Sequence, residues 1–205
     1  MNVALIDYGS GNLRSVARAL AAAGASDVRV TADPAKVAQA DRIVLPGVGA
    51  FGACIAALRA VPGLVAALER RVGEDGTPLL GICVGHQLFA RQGEEHGTHR
   101  GLGWIGGRCR ALAPLDPQAK VPHMGWNRIR VIGEHPLMEP GEAYFLHSYT
   151  IAEAPAGSVL ATAEHGGETI VAAIARDNVV GVQFHPEKSQ RYGIALLERF
   201  LAWRP

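Results

Sequence analysis

Cys83 stands in the run Thr77-Pro-Leu-Leu-Gly-Ile-Cys-Val-Gly-His-Gln-Leu-Phe-Ala90, framed by Gly81 and Gly85. The apolar residues before it predict a buried strand over Pro78 to Ile82, and those after it a helix over Val84 to Ala90. The thiol then sits on the sharp turn between them, the G-x-nucleophile-x-G elbow with cysteine as the nucleophile. Such a turn forces strained backbone on the nucleophile, and glycine at the flanking positions removes the clash a side chain would cause. The start of a helix also favours thiolate, the form that attacks carbonyl carbon. A lone cysteine is more commonly buried and inert. The glycine frame and the preceding strand argue for the reactive reading.

A nucleophilic thiol needs a base. Val179-Val-Gly-Val-Gln-Phe-His-Pro-Glu187 carries an apolar strand up to His185, with Glu187 two residues further on. Residues two apart on an extended segment share a side, and Pro186 is expected to keep this one extended. Glu187 can then hold one imidazole nitrogen while the other faces the thiol. Cys83, His185 and Glu187 would act as nucleophile, base and orienter. The plain alternative is a surface histidine beside a solvated glutamate.

Several further segments invite a functional reading. Pro46-Gly-Val-Gly49 closes a strand expected beside the elbow strand, and its glycines let backbone N–H groups approach a ligand. It reads either as an oxyanion hole, shared with the N–H of Val84, or as a turn. Gly9-Ser-Gly11 lies between a strand and a helix, but Arg14 occupies the third glycine position of a dinucleotide fingerprint, so a tight turn is expected. His86, His96, His99 and His123 match no metal-ligand spacing, and no metal site is expected. Trp126 lies between Gly125 and Asn127, which suggests an exposed loop, and tryptophan is favoured at interfaces.

Taken together, Gly81-Ile-Cys-Val-Gly-His-Gln87 and Val182-Gln-Phe-His-Pro-Glu187 resemble the triad-type, class I glutamine amidotransferases. Within that family, four more stretches look like the glutaminase subunits of imidazole glycerol phosphate synthases. They are Asp7-Tyr-Gly-Ser-Gly-Asn-Leu-Arg-Ser15, Leu45-Pro-Gly-Val-Gly49, Pro122-His-Met-Gly-Trp-Asn127 and Phe145-Leu-His-Ser-Tyr149. The resemblance implies hydrolysis of L-glutamine to glutamate and ammonia through a cysteinyl thioester, without a cofactor. It implies that the ammonia passes to a (β/α)8 cyclase partner in histidine biosynthesis. That partner makes imidazole glycerol phosphate and the aminoimidazole carboxamide ribonucleotide.

Residue by residue, the resemblance places the oxyanion on Gly47, Val48 and Gly49 with Val84, and implies a peptide flip there on partner binding. It places glutamine against Gln87, the α-ammonium on Glu95, and the substrate carboxylate on the backbone of His147, Ser148 and Tyr149. Asn12, Trp126, Asn127 and Tyr144 would lie near the cyclase. The chain departs from the family pattern at His86, where Met is usual, and at Gly93, where Ser is usual. With His96 following, the ammonium ligand stays open between Glu94 and Glu95.

The elements that must position these residues fall into two halves. Strands are expected at Asn2 to Asp7, Val28 to Thr31, Arg42 to Leu45 and Pro78 to Ile82. Helices are expected at Leu13 to Ala23, after Asp33-Pro34, and over Phe51 to Leu68 with a break near Pro62-Gly63. That alternation argues for a parallel sheet with right-handed crossovers. After Gly101, strand-like segments follow at Gly107 to Leu112, Asn127 to Ile132, Glu142 to Leu146, Val159 to Thr162, Thr169 to Ala175 and Val179 to Phe184, before a helix at Tyr192 to Trp203. This half should be antiparallel, packed on or continuing the first sheet. The expected fold is thus α/β, a flavodoxin-like parallel core flanked by helices with an antiparallel C-terminal half, in a single domain over residues 1–205.

Composition is consistent with this. The chain is 48% hydrophobic and 19% charged, so it can bury a core, and its net charge of +1 gives no reason to expect nucleic acid or a membrane. Cys54, Cys83 and Cys109 are odd in number and widely spaced, as expected for reduced thiols in a cytoplasm. No leader and no membrane span are expected from the first residues. Three rival readings stay open on the residues alone: a glutaminase serving pyridoxal phosphate or purine synthesis, a thiol peptidase, and a non-enzymatic flavodoxin-like module.

Overall fold

The computed structural model describes residues 1–205. Its first half alternates strand and helix: β1 (Asn2–Ile6), α1 (Leu13–Ala22), β2 (Asp27–Thr31), α2 (Pro34–Val37), β3 (Arg42–Gly47), α3 (Phe51–Ala60), α4 (Leu64–Glu69), β4 (Leu79–Cys83) and the one-turn α5 (Val84–Gln87). The second half carries β5 (Gln92–Gly93), β6 (His99–Arg100), β7 (Arg108–Ala111), β8 (His123–Val131), β9 (Gly141–His147), β10 (Tyr149–Ala152), β11 (Val159–His165), β12 (Glu168–Arg176), β13 (Val179–Val182) and α6 (Gln190–Ala202).

Local chemistry accounts for the helix ends. Asp33 caps α2 by accepting the Ala35 N–H at 2.9 Å, with Pro34 in the first turn. Gly24, at φ +96°, takes the left-handed position that ends α1. The buried Arg42 guanidinium donates to the carbonyls of Phe200, Leu201 and Trp203 at the end of α6, where helix carbonyls lack partners.

Nine strands form one sheet in the order β2-β1-β3-β4-β13-β12-β11-β8-β9. β2 through β13 run parallel, and β12 onward pair antiparallel, so the second half continues the first sheet. β4 and β13 are buried along their whole length, as parallel strands covered on both faces must be. A smaller sheet, β10-β7-β5-β6, is hydrogen-bonded separately and packs β10 against β12. Both halves contribute to one apolar core of 52 buried residues. No single helix is long and apolar enough to cross a membrane.

The register brings the site segments together. Gly47 pairs with Cys83 across β3 and β4, and Val182 pairs with Ile82 across β13 and β4. The segments after β3, β4 and β13 therefore leave the same end of three adjacent strands, the carboxyl edge where parallel α/β sheets carry their ligands.

Four expectations are corrected. The elbow helix ends at Gln87 rather than Ala90. β13 stops at Val182, and Pro186–Lys188 forms a 3-10 turn rather than an extended segment. Trp126 is not in a loop: β8 begins at His123 and pairs residue for residue with β9, so that Trp126 faces Tyr144. Gly125, at φ +129°, is the turn-like residue that obscured this strand. β5, β6 and β10 are added, short strands whose partners lie far away in sequence.

Candidate active site

Cys83 takes φ 53° and ψ −110°, a conformation costly for any residue but glycine. Its frame holds it there. A Cβ on Gly85 would collide with the Leu45 carbonyl, and one on Gly81 with the Phe89 ring and the Gly85 backbone. The elbow can therefore pack against β3 only with glycine at both positions.

His185 follows on the neighbouring strand's extension. Its Nδ1 lies 2.9 Å from Glu187 Oε1, with side chains only 4% and 1% exposed. The 3-10 turn at Pro186, not an extended segment, brings the carboxylate back to the ring. The same Oε1 accepts from Asn12 Nδ2 at 3.3 Å, so the loop after β1 braces the carboxylate. The His185 backbone is pinned as well. Its N–H donates to the Tyr144 carbonyl at 2.9 Å, and its carbonyl accepts from the Ser189 hydroxyl at 2.6 Å. Burial opposes charge on the imidazole, but the adjacent Cys83 sulfur and the Glu187 carboxylate outweigh it and raise the pKa to about 10. The ring is set up to hold a proton beside the sulfur.

A cavity of about 570 Å³ opens onto this pair. Its lining includes Cys83, Val84, Gln87, Glu95, His185, Val48 and Gly49, together with His147, Ser148, Tyr149 and Asn12. Ala50, Leu146 and Lys188 also line it, and nothing in their local sequence marked them. Gly47 does not line the cavity. It is buried in β3 against Gly85 and Tyr8, where a Cβ would clash with both. Of the two candidate carboxylates, Glu95 lines the cavity and Glu94 pairs with Arg108 at 2.9 Å. Glu95 Oε2 also accepts the Phe51 N–H at the start of α3, at 2.8 Å.

The segment after β3 is tied to the loop after β1 and to Cys54. The Val48 N–H donates to Ser10 Oγ at 3.2 Å, and the Ser10 hydroxyl donates back to the Val48 carbonyl at 2.5 Å. Cys54 Sγ donates to the same carbonyl at 3.3 Å, and the Tyr8 hydroxyl to the Pro46 carbonyl at 2.8 Å. Gly49 takes φ +98°, and Val48 is 43% exposed. In this arrangement the Val48 amide is spent on Ser10. Val84 opens the first turn of α5, where amides have no intrahelical partner.

Trp126, Asn127 and Tyr144 lie outside the cavity. Trp126 is 47% exposed and meets Tyr144 edge-on. The Asn127 amide instead turns inward, donating to the Glu164 carbonyl at 2.7 Å and approaching His123 Nε2 at 3.1 Å. His86 is fully buried, and neither ring nitrogen has a hydrogen-bond partner. Burial outweighs the raising influence of the Gly181 backbone, which makes no full hydrogen bond to the ring, and lowers its pKa to about 3, so it sits neutral beside β13.

A strained thiol with a buried histidine–carboxylate pair, at the carboxyl edge of a parallel sheet, is built for acyl transfer to sulfur. The family described as Glutamine amidotransferase class-I matches residues 4–203, and the chain belongs to that family. It is 60% identical to imidazole glycerol phosphate synthase subunit HisH of Zymomonas mobilis, over 99% of this chain and 96% of the relative. It is 51% identical to the protein of the same name from Caulobacter vibrioides, over 99% of each chain. A solved glutamine amidotransferase structure superposes with a TM-score of 0.76 at 18% identity, covering 98% of both chains. PurLQS from Thermotoga maritima superposes at 0.68 and 18% identity, covering 98% of this chain and 97% of that one. At such identity these two structures speak for the fold alone.

Proposed function

We propose that this chain is the glutaminase subunit of an imidazole glycerol phosphate synthase, acting in histidine biosynthesis as a single domain in the cytoplasm. The observation that carries the chemistry is the Cys83 elbow beside the His185–Glu187 pair. The full-length likeness to HisH proteins supports the pathway.

In this reading His185 takes the proton of Cys83, and the sulfur attacks the side-chain amide carbon of L-glutamine. The tetrahedral oxyanion is held by the Val84 N–H and by a backbone N–H of the 48–49 segment. His185 then gives its proton to the departing nitrogen, releasing ammonia and leaving a γ-glutamyl thioester on Cys83. Water, deprotonated by the same imidazole, attacks the thioester and frees glutamate. Glu187 keeps the ring in one orientation and stabilises its charge. Glu95 takes the substrate α-ammonium, Gln87 contacts the substrate, and the 147–149 backbone takes its carboxylate, which agrees with all five lining one cavity.

Ammonia is mostly protonated in neutral water and is then no nucleophile. Delivery through a (β/α)8 cyclase partner would keep it dry. Exposed Met124 and Trp126, on the outer face of β8, offer an apolar docking surface for that partner. Partner binding would also release the Val48 amide from Ser10 and turn it toward the oxyanion. The test is glutamate release from glutamine by the chain alone and with its co-purified cyclase. No release in either state would overturn the glutaminase reading.

A further inference from the structure

Gln183 sits in an otherwise apolar run, Val182-Gln-Phe184, and is 0% exposed. A buried amide must place its donors and acceptors. The Gln183 Oε1 accepts from Gln87 Nε2 at 3.0 Å, and its Nε2 points at Cys83 Sγ from 3.8 Å.

The direction of these bonds is not a matter of choice. The Tyr149 carbonyl can only accept, and it receives Gln87 Nε2 and His147 Nδ1, each at 2.8 Å. Both hydrogens of the Gln87 amide therefore go to oxygens, one of them Gln183 Oε1. Turning the Gln183 amide over would set NH2 against NH2 at Gln87, and would bring a second oxygen to the Cys83 sulfur, which already faces the Leu146 carbonyl at 3.8 Å. Its N–H must face the sulfur.

The same logic runs outward from Tyr149. With its proton on Nδ1, His147 must accept at Nε2, which His123 Nδ1 supplies at 3.1 Å. His123 then accepts at Nε2 from the Asn127 amide at 3.1 Å, and that amide also donates to the Glu164 carbonyl. Two backbone carbonyls, of Glu164 and Tyr149, thus fix each donor and acceptor from Asn127 to His147. The scheme needs both rings neutral, and burial lowers His147 to about 3 and His123 to about 4.

We propose that Gln183 is a further catalytic residue, whose side-chain N–H donates to the Cys83 sulfur and holds it as thiolate, with Gln87 as the positioning residue that fixes the direction of that bond. This rests on Cys83 being the nucleophile. A hydrogen bond to the charged form favours it, and a fixed donor also keeps the sulfur in one place for attack. Gln183 is distinct from the base, which moves the proton, and from the oxyanion donors, which act on substrate oxygen.

The test is the pH dependence of iodoacetamide alkylation at Cys83 in the full chain, read peptide by peptide by mass spectrometry so that Cys54 and Cys109 do not interfere. Gln183→Met keeps length and removes the donor. The pH at half-maximal alkylation should rise by about one unit, the size expected for one lost hydrogen bond to a charged group. In the complex with the cyclase, kcat for glutamine should fall about tenfold, with KM little changed. Should Gln183→Met not fold, Gln183→Asn, one methylene too short to reach the sulfur, should show the same upward shift. An alkylation midpoint equal to wild type in a folded Gln183 variant would overturn the proposal. The nucleophile assignment fails by a different result, glutamine turnover surviving in Cys83→Ala, so the two failures can be told apart.

Discussion

Cys83 and Val48 face one cavity from the ends of adjacent strands, β4 and β3, and the chain treats them in opposite ways. On the Cys83 side the parts are in place: a strained elbow locked by packing, His185 bonded to Glu187, and Glu187 braced by Asn12. On the Val48 side the backbone donor is bonded to Ser10, and the segment is exposed. The Cys83 side is set by the fold, whereas the backbone donor proposed for the oxyanion is occupied by Ser10. Chemistry that must await a partner is best gated at the part that can move without disturbing the core. A glycine-flanked peptide at the cavity rim is such a part.

The comparison can be broken most sharply on the Cys83 side. Cys83→Ala should abolish glutamine-dependent synthesis by the complex and leave synthesis from added ammonium salt intact. Retained glutamine turnover would remove the sulfur from the mechanism. His185→Ala should cost about 10²–10⁴-fold in kcat, the range for loss of a general base. Glu187→Gln keeps the shape and loses only the charge, so it should cost less. The reverse order in steady-state kcat would give Glu187 more than an orienting role.

His86 tests whether the packed side carries a stability penalty of its own. Burial lowers its folded pKa to about 3 from 6.5. As pH falls below 6.5, the unfolded chain binds a proton there that the folded chain refuses until about 3. Stability is therefore lost as pH falls through that window. At pH 5 the loss from this one ring is about 2 kcal/mol. His86→Met should shrink the drop in urea-unfolding free energy between pH 7 and pH 5 by about that amount. An unchanged drop would mean that His86 finds a proton partner in the folded chain. Part of the acid sensitivity should persist, because His123 and His147 are shifted in the same direction.

A smaller change should sharpen the Val48 side. Ser10→Ala removes the hydroxyl that occupies the Val48 amide. It should raise glutamate release by the chain alone about two- to tenfold, the range for one ordinary hydrogen bond. Release no higher than wild type would show that Ser10 does not restrain the segment.

How much of this was legible in the sequence follows from the distance over which each feature is made. Gly81, Cys83 and Gly85 lie within one turn, and His185 and Glu187 two residues apart, so the elbow and the His185–Glu187 contact could be read from local spacing even though the 3-10 turn at Pro186 could not. The parallel half was legible because strand and helix alternate with separate periodicities. Trp126 was misplaced because β8 is defined by its pairing with β9, and Gly125 breaks the local strand pattern. Gln183 was hidden because its partners, Gln87 and Cys83, lie 96 and 100 residues away. The Ser10–Val48 bonds span 38 residues, and only the fold shows that the Gly9-Ser-Gly11 turn grips the segment after β3.

The most direct test of the proposed contrast, a nucleophile in place and an oxyanion donor held by Ser10 until the partner binds, is kcat for glutamate release, measured on the chain alone and then with saturating cyclase and acceptor ligand. Losing one oxyanion donor costs about 10²–10³ in rate. The partner should therefore stimulate release by about that factor, while alkylation of Cys83 stays the same with and without it. Stimulation below about tenfold, only ~1.4 kcal/mol, would contradict a gate at Val48.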